Sequence, residues 1–246
     1  YVSSSSFNVE GASIYDMVGN SSNLFLPEPN NTNSLSFNYQ ITIDTEAPSA
    51  GIVLDGFDID QYWTNQDSSL SFFWSGFTDN ISGIHGYDIS IGLSPNQHDI
   101  LDLLHVYNNT SFTVSNLSLQ NSITYYVNVR AIDNAGNISD VVSSDGITVD
   151  TEKPSFSYLY ENEIGFDTEF ISDYDSLIIY WSVLDTTSGI NRIEVSIDSD
   201  SSISDLTEWL NVDNLNYYVF NDLELVNGNK YYTKIRSFDN AGNESN

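Results

Sequence analysis

The chain has 246 residues, and its 35 acidic residues against 6 lysines and arginines give a formal net charge of −29 at pH 7. Such a surface repels nucleic-acid phosphates and anionic lipid headgroups, which excludes both as partners. Cysteine is absent and 40% of the residues are hydrophobic, so the chain folds around packed cores without disulfide bonds. No apolar run reaches the roughly 18 residues of a membrane span, and we expect no membrane insertion.

Short runs of alternating hydrophobic and polar residues predict strands along most of the chain. Strands are predicted at residues 69–74, 86–91, 111–114, 125–132 and 146–149. In the longest of them, Tyr125, Val127, Val129 and Ala131 share one face. Residues 99–106 and 205–212 instead have apolar residues at helical spacing for about two turns, which predicts a short helix or an irregular crossover.

Three acidic motifs recur at a constant spacing of 106 residues. Asp-Thr-Glu begins at Asp44 and Asp150, Asp-x-x-Ser-Gly-Ile begins at Asp79 and Asp185, and Asp-Asn-Ala-Gly-Asn begins at Asp133 and Asp239. Three motifs at one spacing indicate a tandem array of units of about 100 residues, enough for one core each.

The repeated stretches resemble a known family. The carriers are Leu-Ser-Phe-Phe-Trp-Ser-Gly-Phe-Thr-Asp at residues 70–79, Ser-Gly-Ile from Ser82, and Tyr-x-Val-x-Val-x-Ala from Tyr125 into Asp-Asn-Ala-Gly-Asn. They are similar to the fibronectin type III-like and immunoglobulin-like tandem repeats of large bacterial or archaeal cell-surface proteins. The resemblance covers residues 44–246 and implies an all-β fold of tandem seven-stranded β-sandwiches, with Trp74 on the second strand and Tyr125 on the sixth.

The repeat spacing predicts three segments. Residues 1–43 correspond to the C-terminal part of a preceding sandwich, because residues 16–20 look like a degenerate Asp-Asn-Ala-Gly-Asn motif. Residues 44–150 form a complete repeat, and residues 151–246 form a repeat that lacks its last strand. A longer polypeptide would explain both incomplete units, and a strand supplied by another subunit is the alternative.

The resemblance also implies that the acidic motifs meet at one pole of each sandwich. Two groups would converge there: Asp44, Glu46, Asp79 and Asp133 in the first complete repeat, and Asp150, Glu152, Asp185 and Asp239 in the second. Carboxylates at close range repel one another unless a cation neutralises them, and calcium suits such an all-oxygen site. The alternative is that each aspartate only accepts backbone N–H groups in a turn, while the prolines stiffen the linkers.

Signatures of catalysis are weak. His85, His98 and His105 lie only in the first complete repeat, so we interpret them as surface histidines rather than zinc ligands. There is no glycine-rich phosphate loop, Gly-x-Ser-x-Gly elbow or cysteine nucleophile, and no carboxylate pair stands in an evident cleft. We therefore predict a protein that is not an enzyme.

The favoured function is a structural or adhesive segment of a long extracellular surface protein, stiffened by calcium at its junctions. Its expected partners are the neighbouring repeats of the same chain and other surface proteins or glycans. One alternative is a carbohydrate-binding accessory module of a secreted enzyme, for which Tyr62 and Trp63 would form an exposed platform. Another is a subunit of a surface layer or filament.

Overall fold

A computed structural model describes residues 13–22, 26–28, 30–34, 37, 41–57, 59–166, 168–199, 206–213 and 215–245. The chain divides into two compact units, Tyr1–Glu46 and Ala47–Asn246. Within the described ranges, no helix is long and apolar enough to cross a membrane. The predicted repeat boundaries at residues 43 and 150 stay predictions.

The first unit contains a tight turn at the degenerate acidic motif. The Asp16 carboxylate accepts the backbone N–H groups of Val18 (3.0 Å) and Asn20 (2.9 Å), and it also accepts the Asn20 side-chain amide (2.8 Å). Gly19 has a φ of 92°, a left-handed conformation that glycine adopts without steric cost. These hydrogen bonds lower the pKa of Asp16 below its ordinary value.

The described residues of the second unit form fifteen strands, each short enough to cross one sandwich. In chain order they are β1 (Ile52–Asp55), β2 (Trp63–Thr64), β3 (Ser69–Ser75), β4 (Ile84–Gly92), β5 (Leu101–Val106), β6 (Ser111–Ser115), β7 (Thr124–Asp133), β8 (Val142–Ser143), β9 (Ile147–Val149), β10 (Ser155–Glu161), β11 (Leu177–Leu184), β12 (Ile190–Asp198), β13 (Leu210–Asn211), β14 (Tyr217–Phe220) and β15 (Tyr232–Asp239).

The first sandwich has two sheets, with strand orders β1-β3-β6 and β2-β9-β7-β4-β5, and β8 also pairs with β7. The chain leaves the first sheet after β1 and enters the second as β2, which pairs parallel with β9. If the split first strand (β1 and β2) and the split last strand (β8 and β9) are each counted once, the sandwich has the seven strands that the sequence predicted.

The second sandwich repeats this arrangement with strand orders β10-β11-β14 and β13-β12-β15. In both sandwiches, the strand that precedes the acidic Asp-Asn-Ala-Gly-Asn motif pairs antiparallel with the strand that follows the Ser-Gly-Ile motif. Beyond β15, the described residues add only an isolated bridge between Phe238 and Glu244. The described fold is therefore all-β throughout this unit.

Each sandwich encloses its own hydrophobic core. The alternation predicted for β7 is confirmed, because Tyr125, Val127, Val129 and Ala131 are at most 2% exposed. Trp74 and Trp181 are each 1% exposed in their respective cores. Complete burial of a large apolar side chain contributes about 1.5–3 kcal/mol, so these faces hold the two sheets together.

The predicted helix at residues 99–106 is wrong. Residues Leu101–Val106 form the edge strand β5, which pairs antiparallel with β4. Leu103 and Leu104 are both at least 38% exposed, so the apolar residues of this strand do not alternate strictly with polar ones. Their spacing therefore resembles that of a helix. Of its counterpart at residues 205–212, residue 205 lies outside the described ranges, and within the described part only Leu210–Asn211 is a strand.

Candidate junction site

Asp150 is the residue that joins the two sandwiches. It directly follows β9, and its backbone N–H donates to the carbonyl of Thr64 in β2 (2.8 Å), which continues the first sandwich's parallel pairing. Its fully buried carboxylate reaches the second sandwich instead, where Oδ2 accepts the backbone N–H of Ser188 (3.0 Å). Oδ1 accepts the N–H of Glu152 (3.0 Å), which turns the linker toward β10. One residue thus belongs to the hydrogen-bond networks of both modules.

Asp185 organises the loop between β11 and β12. Its Oδ1 accepts the backbone N–H groups of Thr187 (3.2 Å), Ser188 (2.9 Å) and Gly189 (2.7 Å). Gly189 has a φ of 79°, which allows the loop to fold back over the carboxylate. No hydrogen bond from the described residues reaches Asp185 Oδ2. That oxygen keeps its lone pairs available for another ligand.

Asp239 closes the third side of the site from the end of β15. Its carboxylate accepts the backbone N–H of Asn243 through Oδ1 (2.8 Å) and the Asn243 side-chain amide through Oδ2 (2.8 Å). The same side-chain amide donates to the carbonyl of Asp150 (2.8 Å). Asn243 therefore ties the last loop of the second sandwich to the linker.

Asn240 fastens the two acidic loops to each other. Its side-chain amide donates to the carbonyls of Ser188 (2.7 Å) and Gly189 (3.1 Å), and its backbone N–H donates to Gly189 (3.0 Å). Sequence reasoning missed this role, although the repeated Asn of the motif was its signal. In the first sandwich, Asn134 makes the same two contacts with Ser82 and Gly83.

The three carboxylates of Asp150, Asp185 and Asp239 converge as the spacing predicted. One oxygen from each lies within 4.8 Å of the other two. Calcium–oxygen bonds are about 2.3–2.6 Å long, so two oxygens that share one ion are at most about 5 Å apart. The separation therefore fits ligands of a single calcium ion. Like charges at this range repel by a few kcal/mol per pair at an effective dielectric constant of about 20.

A hydroxyl group beside these carboxylates has no partner. Ser188 is 8% exposed, and its buried Oγ makes no hydrogen bond within the described residues. Its backbone N–H is bonded to both Asp150 and Asp185, so the residue lies between two of the acidic side chains. Buried polar groups are usually satisfied, and an unpaired one beside three carboxylates is consistent with an oxygen-rich ligand environment.

The other predicted site residues have different surroundings. Glu152 is exposed and contributes its backbone N–H, while its carboxylate is outside the cluster. In the first sandwich, Asp79 and Asp133 place carboxylate oxygens within 4.8 Å of each other. Asp44 and Glu46 belong to the other compact unit, in which Asp44 Oδ1 accepts the N–H of Glu46 (3.0 Å).

The aspartates of the acidic motifs accept backbone N–H groups in turns, as the alternative interpretation predicted, and calcium binding by them stays a prediction. Asp133 Oδ1 accepts the N–H groups of Ala135 (2.8 Å) and Asn137 (2.8 Å), and Oδ2 accepts the Asn137 amide (2.8 Å). Burial alone would raise the pKa of Asp133, but these hydrogen bonds lower it overall. An ionised carboxylate has about four lone-pair sites, so the turn leaves room for a cation.

The histidines are not part of the carboxylate clusters of the described residues. His85 borders the acidic loops of the first sandwich without joining their carboxylates, because its Nδ1 contacts Asn134 Oδ1 (3.3 Å). His85 and His105 stack with ring centroids 6.0 Å apart, and His105 Nδ1 contacts Asp88 Oδ1 (2.8 Å). His98 contacts the exposed Asp102 (3.2 Å). Within the described residues, no group of three candidate metal ligands includes a histidine. The arrangement gives no support to a zinc site.

A cleft of about 770 Å³ lies beside the junction. Tyr62 and Trp63 line it from the first sandwich, and Arg192 and Asn240 line it from the second. Tyr62 is 62% exposed, while Trp63 in β2 is half-buried. The predicted aromatic pair therefore lines one side of a polar cleft.

Comparisons with known proteins give limited sequence similarity. The sequence matches no family model. Exoglucanase B of Cellulomonas fimi is 25% identical over 217 residues, which cover 82% of this chain and 16% of that enzyme. The chain therefore spans a small part of the curated relative that it matches.

Solved structures with similar folds come from several modular proteins. The FN1–FN3 domains of chicken CNTN1 are 14% identical, with a TM-score of 0.45, over 82% of this chain and 65% of that one. The fibronectin(III)-like modules of Clostridium thermocellum CbhA are 11% identical, with a TM-score of 0.48, over 79% and 90%. A segment of titin is 16% identical, with a TM-score of 0.45, over 81% and 63%.

The strand order decides the fold. One three-stranded sheet faces a sheet in which the chain's split first strand pairs parallel with its last strand. Both sandwiches have a fibronectin type III-like fold. Their acidic loops lie at one pole of each module, which places the second module's loops against the linker from the first.

Proposed function

We propose that the chain is a non-enzymatic structural segment of an extracellular protein, in which tandem modules act as a stiff spacer. The observation that carries this proposal is the double attachment of Asp150. Its backbone N–H belongs to the first sandwich through Thr64, and its carboxylate belongs to the second through Ser188. A linker that is hydrogen-bonded on both sides restricts the angle between modules.

Further contacts support a restricted junction. The N–H of Thr151 donates to the Asn121 side chain of the first sandwich (2.9 Å), and Ser122 contacts Thr187 across the junction (3.5 Å). Pro154, whose fixed φ limits the linker, is buried just before β10. These contacts are polar and few, so rigidity rests on a small number of hydrogen bonds.

Calcium bound by Asp150, Asp185 and Asp239 would complete this junction. The ion would neutralise three converging carboxylates, and Asp185 Oδ2 offers it an oxygen without a hydrogen bond from the described residues. The remaining ligands would be backbone carbonyls and water, which calcium accepts in flexible geometry. The ion would thereby connect the linker to the β11–β12 loop and to the end of β15.

An extracellular location agrees with this chemistry. Extracellular calcium modules bind with dissociation constants of about 0.1–1 mM, and calcium at such concentrations is available outside the cell. The absence of cysteine removes any dependence on disulfide formation. The formal net charge of −29 also keeps the segment soluble, and it makes chains of the same kind repel one another.

Calorimetric titration with calcium tests the proposal directly. Asp185→Asn should lose one bound calcium, because it removes charge from the cluster while Oδ1 still accepts the loop N–H groups. Asp175→Asn is the matched control, since this exposed aspartate precedes β11 at the opposite end of the same module. Equal stoichiometry in the wild type and Asp185→Asn would disprove calcium binding at the junction.

Carbohydrate binding is a second candidate function. It is favoured by the cleft at Tyr62 and Trp63 and by the similarity to a protein named as an exoglucanase. An exposed aromatic face can stack on a sugar ring, and the polar groups opposite can bind its hydroxyls. In this case the modules would serve a catalytic domain elsewhere in a secreted enzyme.

A further inference from the structure

A second acidic cluster lies in the first sandwich, away from the junction motifs. It consists of Asp55 at the end of β1, Asp60 in the β1–β2 connection, and Asp145 between β8 and β9. One oxygen from each lies within 4.8 Å of the other two. None of these residues belongs to the repeated motifs, so no sequence pattern indicates that they form a group.

Asp55 is the unusual member of this cluster. Its side chain is fully buried, and neither carboxylate oxygen has a hydrogen-bond partner of ordinary geometry within the described residues. Its backbone, in contrast, is satisfied, because its N–H donates to Asp60 Oδ1 (3.0 Å) and its carbonyl accepts the N–H of Gln61 (2.9 Å). An ionised carboxylate in this position costs several kcal/mol unless it is paired.

The fold explains why the three residues meet. The chain crosses from one sheet to the other between β1 and β2, and this crossing carries Asp55 and Asp60. The last strand is interrupted on the facing edge, where β8 and β9 pair with different parts of β7. Gly146 marks the interruption with a φ of 103°, and Asp145 precedes it. The cluster therefore spans the edge at which the two sheets join.

The surroundings provide no opposite charge. No lysine, arginine or histidine of the described ranges forms an ion pair with any of the three aspartates. Burial raises the pKa of Asp55 to about 7, and the Asp60 and Asp145 charges add to that effect. The nearby Ser144 hydroxyl and the Gly146 backbone N–H offset part of it, although their contacts with Asp55 fall outside ordinary hydrogen-bond geometry.

We propose that Asp55, Asp60 and Asp145 bind a divalent cation, with calcium the best-fitting ion. The separation of at most 4.8 Å matches two ligands of one calcium ion. All ligands are hard oxygens, which disfavours zinc and copper, and the exposed Asp145 leaves a side open to water, so the site suits a flexible coordination shell. The bound ion supplies the partner that the buried Asp55 carboxylate lacks.

This site is independent of the junction and has a different effect. At the repeat spacing of 106, Glu161 and Phe166 stand in place of Asp55 and Asp60, so the second sandwich does not repeat the cluster. The Glu161 carboxylate accepts the Thr233 hydroxyl instead (2.5 Å). Calcium at the edge of the first sandwich fastens the crossing of its first strand to the break in its last strand.

Calorimetric titration of the full chain with calcium separates the two sites. Asp145→Asn is expected to bind one calcium fewer than the wild type, and Asp145→Asn combined with Asp185→Asn two fewer. The exposed Asp145 makes a folding defect improbable on structural grounds, and a near-ultraviolet circular dichroism spectrum checks that the variant retains its packed core. Asp140→Asn is the matched control, because it removes one exposed charge from the neighbouring β7–β8 connection, outside the cluster.

Hydrogen exchange supplies a second readout. Calcium should slow the exchange of amides in residues 52–64 in the wild type and in Asp185→Asn, but not in Asp145→Asn. Unchanged calcium stoichiometry in Asp145→Asn, with no calcium-dependent protection of residues 52–64 in the wild type, would overturn the proposal. Asp55 would then be a buried neutral acid. Because Asp185→Asn reports on the junction separately, this result would leave the proposed spacer function untouched.

Discussion

The backbone N–H of Ser188 donates to the carboxylate of Asp150 at 3.0 Å, which connects the linker after the first module to a loop of the second. The same N–H also lies 2.9 Å from Asp185 Oδ1, so one donor is shared by two carboxylates. A shared donor neutralises two close charges only partly. This arrangement holds the junction together, but it leaves part of the negative charge of the two carboxylates uncompensated.

Calcium should stabilise the second module through the junction site. We expect calcium at a hundredfold excess over its dissociation constant to raise the free energy of unfolding by about 2.7 kcal/mol. The comparison is made in Asp145→Asn, which removes the proposed edge site. Urea unfolding with calcium and with chelator, followed by tryptophan fluorescence, measures the effect. Addition of Asp185→Asn should abolish the difference, and a difference that survives this substitution would assign the stabilisation to another site.

Asn240→Ala should loosen the junction loops. The substitution removes donors to the carbonyls of Ser188 and Gly189, which should reduce the free energy of unfolding by about 1–2 kcal/mol. Calcium affinity should fall as well, since the loop carrying Asp185 loses its fastening. Asn229→Ala, at an exposed position before β15, is the control for loss of an amide. Equal stability and calcium affinity in the two variants would contradict the role assigned to Asn240.

Stability in acid should depend on the Asp88–Arg130 pair. Arg130 donates to Asp88 Oδ2 from Nε (3.0 Å) and Nη2 (2.8 Å). Burial would raise the pKa of Asp88, but the hydrogen bonds from His105 and Arg130 lower it below its ordinary value. A depressed folded-state pKa stabilises the fold above the unfolded pKa of about 3.9, and this contribution is lost as pH falls through the folded value.

Arg130→Met should therefore destabilise the first module strongly at pH 7 and less at pH 3. Urea unfolding of the wild type and variant in chelator, at both pH values, measures this change. The same loss of stability at pH 7 and pH 3 would refute a contribution from the ionised Asp88.

For the carbohydrate-binding alternative, Trp63→Ala is the decisive substitution. If the cleft binds sugars, the variant should lose binding to soluble glucan oligosaccharides on a glycan array, because the stacking surface is removed. Tyr107→Ala is the control, since this tyrosine is 61% exposed outside the residues that line the cleft. Binding that is equally weak in both variants and in the wild type would eliminate this function.

The repeat spacing and the family resemblance together predicted the convergence of Asp150, Asp185 and Asp239. A motif that recurs at one spacing occupies the same place in each module, and the resemblance to known sandwiches supplied that place. The alternation of hydrophobic and polar residues also predicted the strand β7, because one face of that strand is fully buried. Both features depend on local patterns that the fold repeats.

The edge cluster could not be predicted in this way. Asp55 and Asp60 meet Asp145 only because the first strand changes sheets and the last strand is interrupted, and neither event has a clear sequence pattern. The site also has no repeated counterpart, since Phe166 replaces Asp60 at the repeat spacing. The prediction for β5 was wrong for a related reason. As an edge strand it exposes Leu103 and Leu104, so its hydrophobic and polar residues do not alternate as in a half-buried strand.

The central claim is that calcium at the junction fixes the angle between the two modules. Because the chain has no cysteine, Asn109→Cys and Lys230→Cys allow specific labelling of exposed positions in the first and second modules. Single-molecule energy transfer between the labels then gives the distribution of distances across the junction. We expect calcium to narrow this distribution, and Asp185→Asn to keep it as broad as in chelator. Distributions of the same width with calcium and with chelator would contradict the claim.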